Sequence, residues 1–260
     1  MTIELKNGNC LELMKSIPDK SIDLMICDLP YGETNCKWDI KIDMDEFWTE
    51  FKRIRKSPRV ACIHFCSTKF GYQLIKSWEK GFKMDMVWKK RNKTGGLQSR
   101  NRPMRNHEMV YFFYDQAPKY NRDKYHKRIK SYPAKKENGK DEFGNDNKGV
   151  SVKECGFASN FDPPNPASVV EEEDEPKSMF ESTKVFIGKR HHQTEKPQDI
   201  LEFFIKYWTD ENETILDPTM GSGSTGVACK SLNRNFIGFE LDPKIFNVAE
   251  DRINKTEKII

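Results

Sequence analysis

The stretch ETILDPTMGSGSTGVACKSL, Glu213 to Leu232, decides the fold. Five residues of strand character run into a loop with glycine at 221, 223 and 226, and the loop opens a helix. That spacing is GxGxxG, and following a strand and opening a helix is the context in which it binds nucleotide-like ligands at the carboxyl end of a parallel sheet. A glycine-lined turn with no ligand is the plain alternative. Downstream, NFIGFE reads as a strand and PKIFNVAEDRI as a helix. Upstream, QDILEFFIKYW is a helix that Pro197 can precede in its first turn at little cost.

The first ninety residues carry the same alternation. TIELK, IDLMIC, RVACIHFC and FKMDMVW read as strands, with helices in CLELMKSI, in DMDEFWTEFKRI behind a capping Asp43, and from Thr68 to Lys80. With EMVYFFY, ETILD and NFIGFE this predicts a doubly wound α/β fold on seven mostly parallel strands. Between Lys89 and about Arg190 the rhythm fails, and only EMVYFFY is clearly a strand. The expected organisation is therefore a core half at 1–90, an insertion at 91–190 that includes one core strand, and a second core half at 191–260.

Composition narrows the classes. The chain has 260 residues, mean hydropathy −0.80 and only short apolar runs, so a disulfide-stapled miniprotein and a membrane helix are excluded. MTIELKNGNC has neither the basic start nor the apolar core of a secretory signal, and a cytoplasmic protein is expected. Seven cysteines without a CxxC pair read as reduced thiols, and no metal-ligand spacing is apparent. The net charge of +4 hides an uneven distribution. Lys89 to Lys140 holds 16 Lys and Arg against 4 acids, so that block carries +12 and the rest of the chain −8. A basic block of this kind fits a polyanion such as nucleic acid, or a solvated loop.

Asp217 discriminates between cofactors. A carboxylate at the mouth of the glycine loop repels a pyrophosphate but pairs with the ammonium of an amino-acid-bearing nucleoside, which favours S-adenosylmethionine over NAD. Glu240, at the end of the next strand, can accept both ribose hydroxyls of either cofactor, while it or Asp242 can cap the final helix. IDLMIC in turn runs into Asp28-Leu29-Pro30-Tyr31-Gly32 at a strand's carboxyl end. An ordinary Asp-Pro turn is one reading. The other is a site for an exocyclic base amine, whose lone pair is delocalised into the ring. Two acceptors on its hydrogens, Asp28 and the Pro30 carbonyl, would localise that pair, and the Tyr31 ring would hold the base plane.

Taken together, the two loops resemble the β-group of amino-methylating DNA methyltransferases, in which a DPPY or SPPY element precedes the cofactor loop with the target-recognition region between them. The resemblance covers nearly the whole chain apart from about residues 130 to 185. It implies a Rossmann-like methyltransferase fold. Asp28 to Tyr31 match the catalytic motif, with Leu29 where proline is commoner. Asn9 and Cys10 match a turn expected near the cofactor adenine, Asn9 replacing the usual Asp. His192, Thr194, Lys196 and Pro197 match an HPTQKP-like motif lining the methionine side of the cofactor, with Gln193 and Glu195 as departures. Asp217, Pro218, Gly221, Ser222, Gly223, Ser224 and Thr225 resemble the cofactor loop, and Glu240 the ribose-binding acid.

The expected activity is S-adenosylmethionine-dependent methylation of adenine N6 on a base flipped out of double-stranded DNA. Asp at the first motif position goes in the family mostly with adenine, and cytosine N4 is the alternative. Cytosine C5 chemistry requires a thiolate, usually from a Pro-Cys element, and the sequence contains none. Arg100, Arg102, Arg105, Arg122, Lys124, Lys127 and Arg128 are the expected DNA contacts, chiefly to phosphates. A second copy of the chain and a cognate restriction endonuclease are further partners the resemblance admits, and the sequence chooses neither. An NAD-dependent dehydrogenase would share GxGxxG without a use for DLPY, and a non-catalytic DNA-binding protein would need only the basic block.

Overall fold

Asn9, Asp43, Ser67 and Asp242 each turn a side-chain oxygen back onto N–H groups of the following turn, and each starts a helix. The computed structural model describes residues 1–32, 41–125, 127–128, 139–140, 146–147, 161–162, 168–171 and 196–256. In chain order the elements begin β1 (Ile3–Asn7), α1 (Cys10–Met14), β2 (Leu24–Cys27), α2 (Met44–Ile54), β3 (Cys62–Cys66) and α3 (Thr68–Ser77). A long hairpin of β4 (Phe82–Thr94) and β5 (Arg105–Phe113) follows, then α4 (Arg122–Tyr125). Four two-residue strands come next: β6 (Lys127–Arg128), β7 (Gly139–Lys140), β8 (Asp146–Asn147) and β9 (Phe161–Asp162). The chain ends with β10 (Val169–Glu171), α5 (Gln198–Trp208), β11 (Thr214–Asp217), α6 (Ser224–Ser231), β12 (Asn235–Glu240) and α7 (Pro243–Lys255).

Eight of these strands form one sheet in the order β1-β12-β11-β2-β3-β5-β4-β10. Its pairings are parallel except around β5, which runs against both β3 and β4. All seven predicted strands are present. The eighth, β10, adds three residues to the edge beside Val87 to Lys89, too short a run to show a period in the sequence. Successive residues of β2 serve opposite faces, as a strand's geometry requires. Leu24 and Ile26 join the cluster under α5, α6 and α7, whereas Met25 and Cys27 join the one under α1, α2 and α3. Helix α2 commits Phe47, Trp48, Phe51 and Ile54 to that second face, each worth roughly 1.5–3 kcal/mol of burial.

The chain folds as two compact units, Met1–Tyr120 with Ser168–Ile260, and Asn121–Ala167. The second unit holds α4 and two small antiparallel pairs, β6 with β9 and β7 with β8. Among the described residues no helix is long and apolar enough to cross a membrane.

Candidate active site

Strand order reverses between β11 and β2: the chain leaves β11 through α6 toward β12, and leaves β2 through α2 toward β3 on the other side. The carboxyl ends on either side of such a reversal form the crevice where open α/β sheets bind ligands. Pairing aligns Asn7 with Glu240 and Asp217 with Gly238, so Gly8, Glu240, Asp217 and Asp28 follow one another along this rim. Three carboxylates, Asp28, Asp217 and Glu240, thus gather along one end of the sheet.

The glycine loop is built around two of them. Asp217 is 4% exposed and accepts hydrogen bonds from the Thr219 N–H at 3.1 Å and the Thr225 hydroxyl at 2.6 Å. Burial raises its carboxyl from 3.8 to about 7; the two hydrogen bonds oppose the rise, and the charges of Asp28 and Glu240 add to it. Glu240 accepts from the Gly221 N–H at 3.1 Å and the Asp242 N–H at 2.8 Å. Its carboxyl is also raised, chiefly by burial, against the pull of those bonds. Arg252 of α7 donates to the Ser222 and Ser224 hydroxyls at 3.2 and 3.1 Å, and Pro218 is buried.

Gly221 and Gly223 both lie in the left-handed region, at φ +53° and +82°. Their surroundings differ: a Cβ on Gly221 would meet nothing within 4 Å, whereas one on Gly223 would stand 2.9 Å from Ile253 Cδ1 and 3.2 Å from the Ala249 backbone. The sequence suggests that Gly223 admits a ligand; the structure gives it a packing role against α7. Asn9 caps α1 through the Leu11 N–H at 2.9 Å. Cys10 is buried beside it, its thiol pushed up to about 11 mainly by burial.

At the end of β2, Leu29 is 1% exposed and anchored in the core while Asp28 and Tyr31 are half-buried. The Tyr31 hydroxyl donates to Asp28 Oδ1 at 3.2 Å, with the Phe65 carbonyl at 3.4 Å as a second acceptor, and its ring stacks on Phe70 at 4.9 Å. Thr219 of the glycine loop donates to the Asp28 carbonyl at 3.2 Å, which ties the two loops together. Lys196 donates to Asp28 Oδ2 and lies 3.8 Å from Glu108 Oε2. Pro30 is half-buried in the same turn. His192 and Thr194 lie outside the described residues.

The basic residues separate into two groups. Arg100, Arg102 and Arg105 are exposed at the β4–β5 turn, Arg105 being the first residue of β5. Arg122, Lys124, Lys127 and Arg128 belong to the second unit, on α4 and β6.

Sequence reasoning missed Phe70, Glu108 and the meeting of Cys27, Cys62 and His64, because each depends on partners from different strands or helices. The last three place ligand-capable atoms within 4.8 Å of one another in the buried core, and no fourth His, Cys, Asp or Glu joins them among the described residues. Burial raises the Cys27 thiol. For Cys62 burial acts the same way but is outweighed by the Cys27 hydrogen bond and the His64 imidazole, which draw its thiol down.

A family model described as DNA methylase, for N6 and N4 methyltransferases, matches residues 22–251. The type II methyltransferase M1.MboII of Moraxella bovis is 27% identical over 271 residues, spanning 96% of this chain and 95% of that one. Among solved structures, the M1.HpyAVI–SAM complex superposes with a TM-score of 0.60 at 21% identity, covering 97% of this chain and all of that one. The PvuII DNA methyltransferase, described as cytosine-N4-specific, gives a TM-score of 0.65 at 18% identity over 100% of this chain and 88% of that one. These structures share the fold of the sheet and its helices, and the family match runs from just before β2 into α7, through both loops of the rim. The chain therefore belongs to the N6/N4 family of DNA methylases.

Proposed function

We propose that this S-adenosylmethionine-dependent DNA methyltransferase acts on N6 of an adenine extruded from duplex DNA. The observation that carries methyl transfer at this rim is the bond from Thr219 to the Asp28 carbonyl, which ties the loop bearing the acid to the glycine loop. The choice of adenine rests on the family resemblance, in which Asp at the first motif position goes mostly with adenine. The cofactor supplies a methyl group on an electron-poor sulfonium. The rim fits such a molecule because Asp217 is a buried carboxylate among like charges, suited to an ammonium and unsuited to a pyrophosphate. Gly221 leaves open space, and two backbone N–H groups aim the Glu240 carboxylate as a ribose acceptor. Asn9, Cys10, His192, Thr194 and Lys196 complete the cofactor's surroundings in this reading, with Pro218, Ser222, Ser224 and Thr225 shaping the loop.

Asp28 and the Pro30 carbonyl accept the two amine hydrogens, localising the lone pair, while Tyr31 sets the plane of the base. Phe70 backs Tyr31, so the ring is held rather than swinging freely. Arg100, Arg102 and Arg105 on the hairpin and Arg122, Lys124, Lys127 and Arg128 in the second unit hold DNA phosphates. Residues 91–190 serve as the target-recognition insertion between the core halves 1–90 and 191–260.

The test is to incubate the protein with unmodified genomic DNA and labelled S-adenosylmethionine, digest to nucleosides and identify the labelled one. N6-methyladenine is expected. N4-methylcytosine would overturn the base assignment and leave the mechanism standing. DNA binding without any methylated nucleoside would favour a non-catalytic DNA-binding protein, and NAD binding without a response to S-adenosylmethionine would favour the dehydrogenase.

The Asp217 carboxyl also sets a pH dependence. An ammonium partner favours the carboxylate, so cofactor binding near pH 6 should release a proton, and affinity should fall below about pH 7 by up to roughly tenfold per unit. The linked effect on stability has the opposite sense. The folded protein holds this proton more tightly than the unfolded chain, so the group destabilises the cofactor-free fold progressively as pH rises from about 4 to about 7. Calorimetry in buffers of different ionisation enthalpy reads the proton release, and Asp217→Asn should abolish it. An affinity independent of pH from 5 to 8 in the unaltered protein would remove Asp217 from this role.

A further inference from the structure

Glu108 belongs to none of the motifs that mark the site. It sits on β5 opposite Trp88 of β4, and its Oε1 is paired with Lys90. Oε2 is buried and accepts no hydrogen bond, a costly state for a carboxylate oxygen. Lys196 Nζ stands 3.8 Å from this oxygen, beyond hydrogen-bond range, and donates instead to Asp28 Oδ2. The same ammonium lies 5.2 Å from the Phe65 ring and 5.9 Å from the Trp88 ring, so it sits among two carboxylates and two aromatic rings. Moving it about 1 Å toward Glu108 would exchange one hydrogen bond for another.

Both oxygens of Asp28 are thus engaged, one by Tyr31 and the other by Lys196. A carboxylate already engaged by an ammonium is a poorer acceptor for a neutral base amine, and a buried ammonium cannot leave its partner unless another anion receives it. We propose that Lys196 is a positioning residue passed between two carboxylates, held by Asp28 before the target base arrives and by Glu108 Oε2 once the amine has taken its place. Glu108 then acts through Lys196 to free Asp28. This rests on the reading of Asp28 as the acceptor of the target amine. Burial alone would press Lys196 toward its neutral form, but the charges of Asp28 and Glu108 outweigh it and hold the pKa above the ordinary value. The cation moves as a whole, and no proton is transferred.

A double-mutant cycle tests this, with kcat measured for methyl transfer to whichever base receives it. Glu108→Gln should lower kcat at least tenfold while leaving the cofactor Kd within twofold. In a Lys196→Met background, assayed at cofactor concentrations that saturate that variant and compared with its own kcat, the same change should alter kcat by less than twofold, because no ammonium remains to obstruct Asp28. Glu108→Asp, which keeps the charge on a shorter arm, should fall between. A second readout is independent of turnover. Glu108→Gln should lose the preference for duplex carrying the mapped target base over duplex with an abasic site there, measured with the demethylated cofactor product bound. Equal losses in both backgrounds, or full activity in Glu108→Gln, would overturn the proposal. Failure of the unaltered protein to methylate DNA would instead overturn the function itself.

Discussion

Asp28→Asn is expected to lower kcat by about 10²–10³-fold while leaving the cofactor Kd within about threefold. The substitution preserves shape and changes only the acceptor. Asp28 now accepts from Tyr31 on one oxygen and from Lys196 on the other. An asparagine can point its carbonyl at Lys196 and its amide at the Tyr31 hydroxyl, which can accept as readily as donate. The turn should therefore survive, with Leu29 still buried and Thr219 still bonded to the residue 28 carbonyl. What disappears is the negative charge that draws on the amine hydrogen as the lone pair is committed to the new bond, so the loss should fall on turnover and spare binding. Single-turnover rates with calorimetric cofactor titration would separate the two. An Asp28→Asn protein with full activity would remove the mechanism.

Gly223→Val should cost the fold roughly 2–5 kcal/mol and abolish cofactor binding with it. Two effects combine. A β-branched residue at φ +82° is strained at the backbone, and its Cβ would meet Ile253 and the Ala249 backbone of α7, which has no side-chain freedom to yield. Gly221→Ala is the matched control. At φ +53° it too carries backbone strain, but its Cβ meets open space. Its unfolding midpoint should move far less, while cofactor affinity should still drop because the added methyl group faces the place the ligand is proposed to occupy. Equal unfolding midpoints for the two variants would remove the packing role of Gly223.

How much of this was legible in the sequence depended on whether the information was local. The limits of α5 and β12 follow from runs of apolar residues bounded by Pro197, Asn235 and Asp242, and the caps at Asp43 and Asp242 are written in the residues themselves. GxGxxG disclosed the glycine loop between β11 and α6 for the same reason, since strand, turn and helix are consecutive. The extension of β4 to Thr94 and the start of β5 at Arg105 were not legible, because the added residues are mostly polar and carry no alternation. Neither were the stacking of Tyr31 on Phe70 or the approach of Lys196 to both Asp28 and Glu108. Those contacts join residues far apart in the chain, and only the sheet order brings them together. Gly223 shows a subtler gap: its need for positive φ is readable from the motif, whereas the helix it must clear is not.

The second unit is one uninterrupted segment, Asn121–Ala167, and the residues that flank it in the chain, Tyr120 and Ser168, belong to the first and are fastened there. Tyr120 stacks on Tyr207 of α5 at 5.4 Å, and the Ser168 carbonyl accepts from the Val87 N–H at 2.8 Å at the edge of the sheet. None of Asp28, Asp217 or Glu240 lies between those two fastenings. Insertions, deletions and wholesale replacement within the segment can thus accumulate without shifting the register of any strand that carries the rim, since tolerance to such change follows the burial and bonding of the backbone at its borders. Chemistry and segment can therefore evolve at different rates within a single polypeptide, and exchanging the segment between relatives is a one-piece graft with two defined seams.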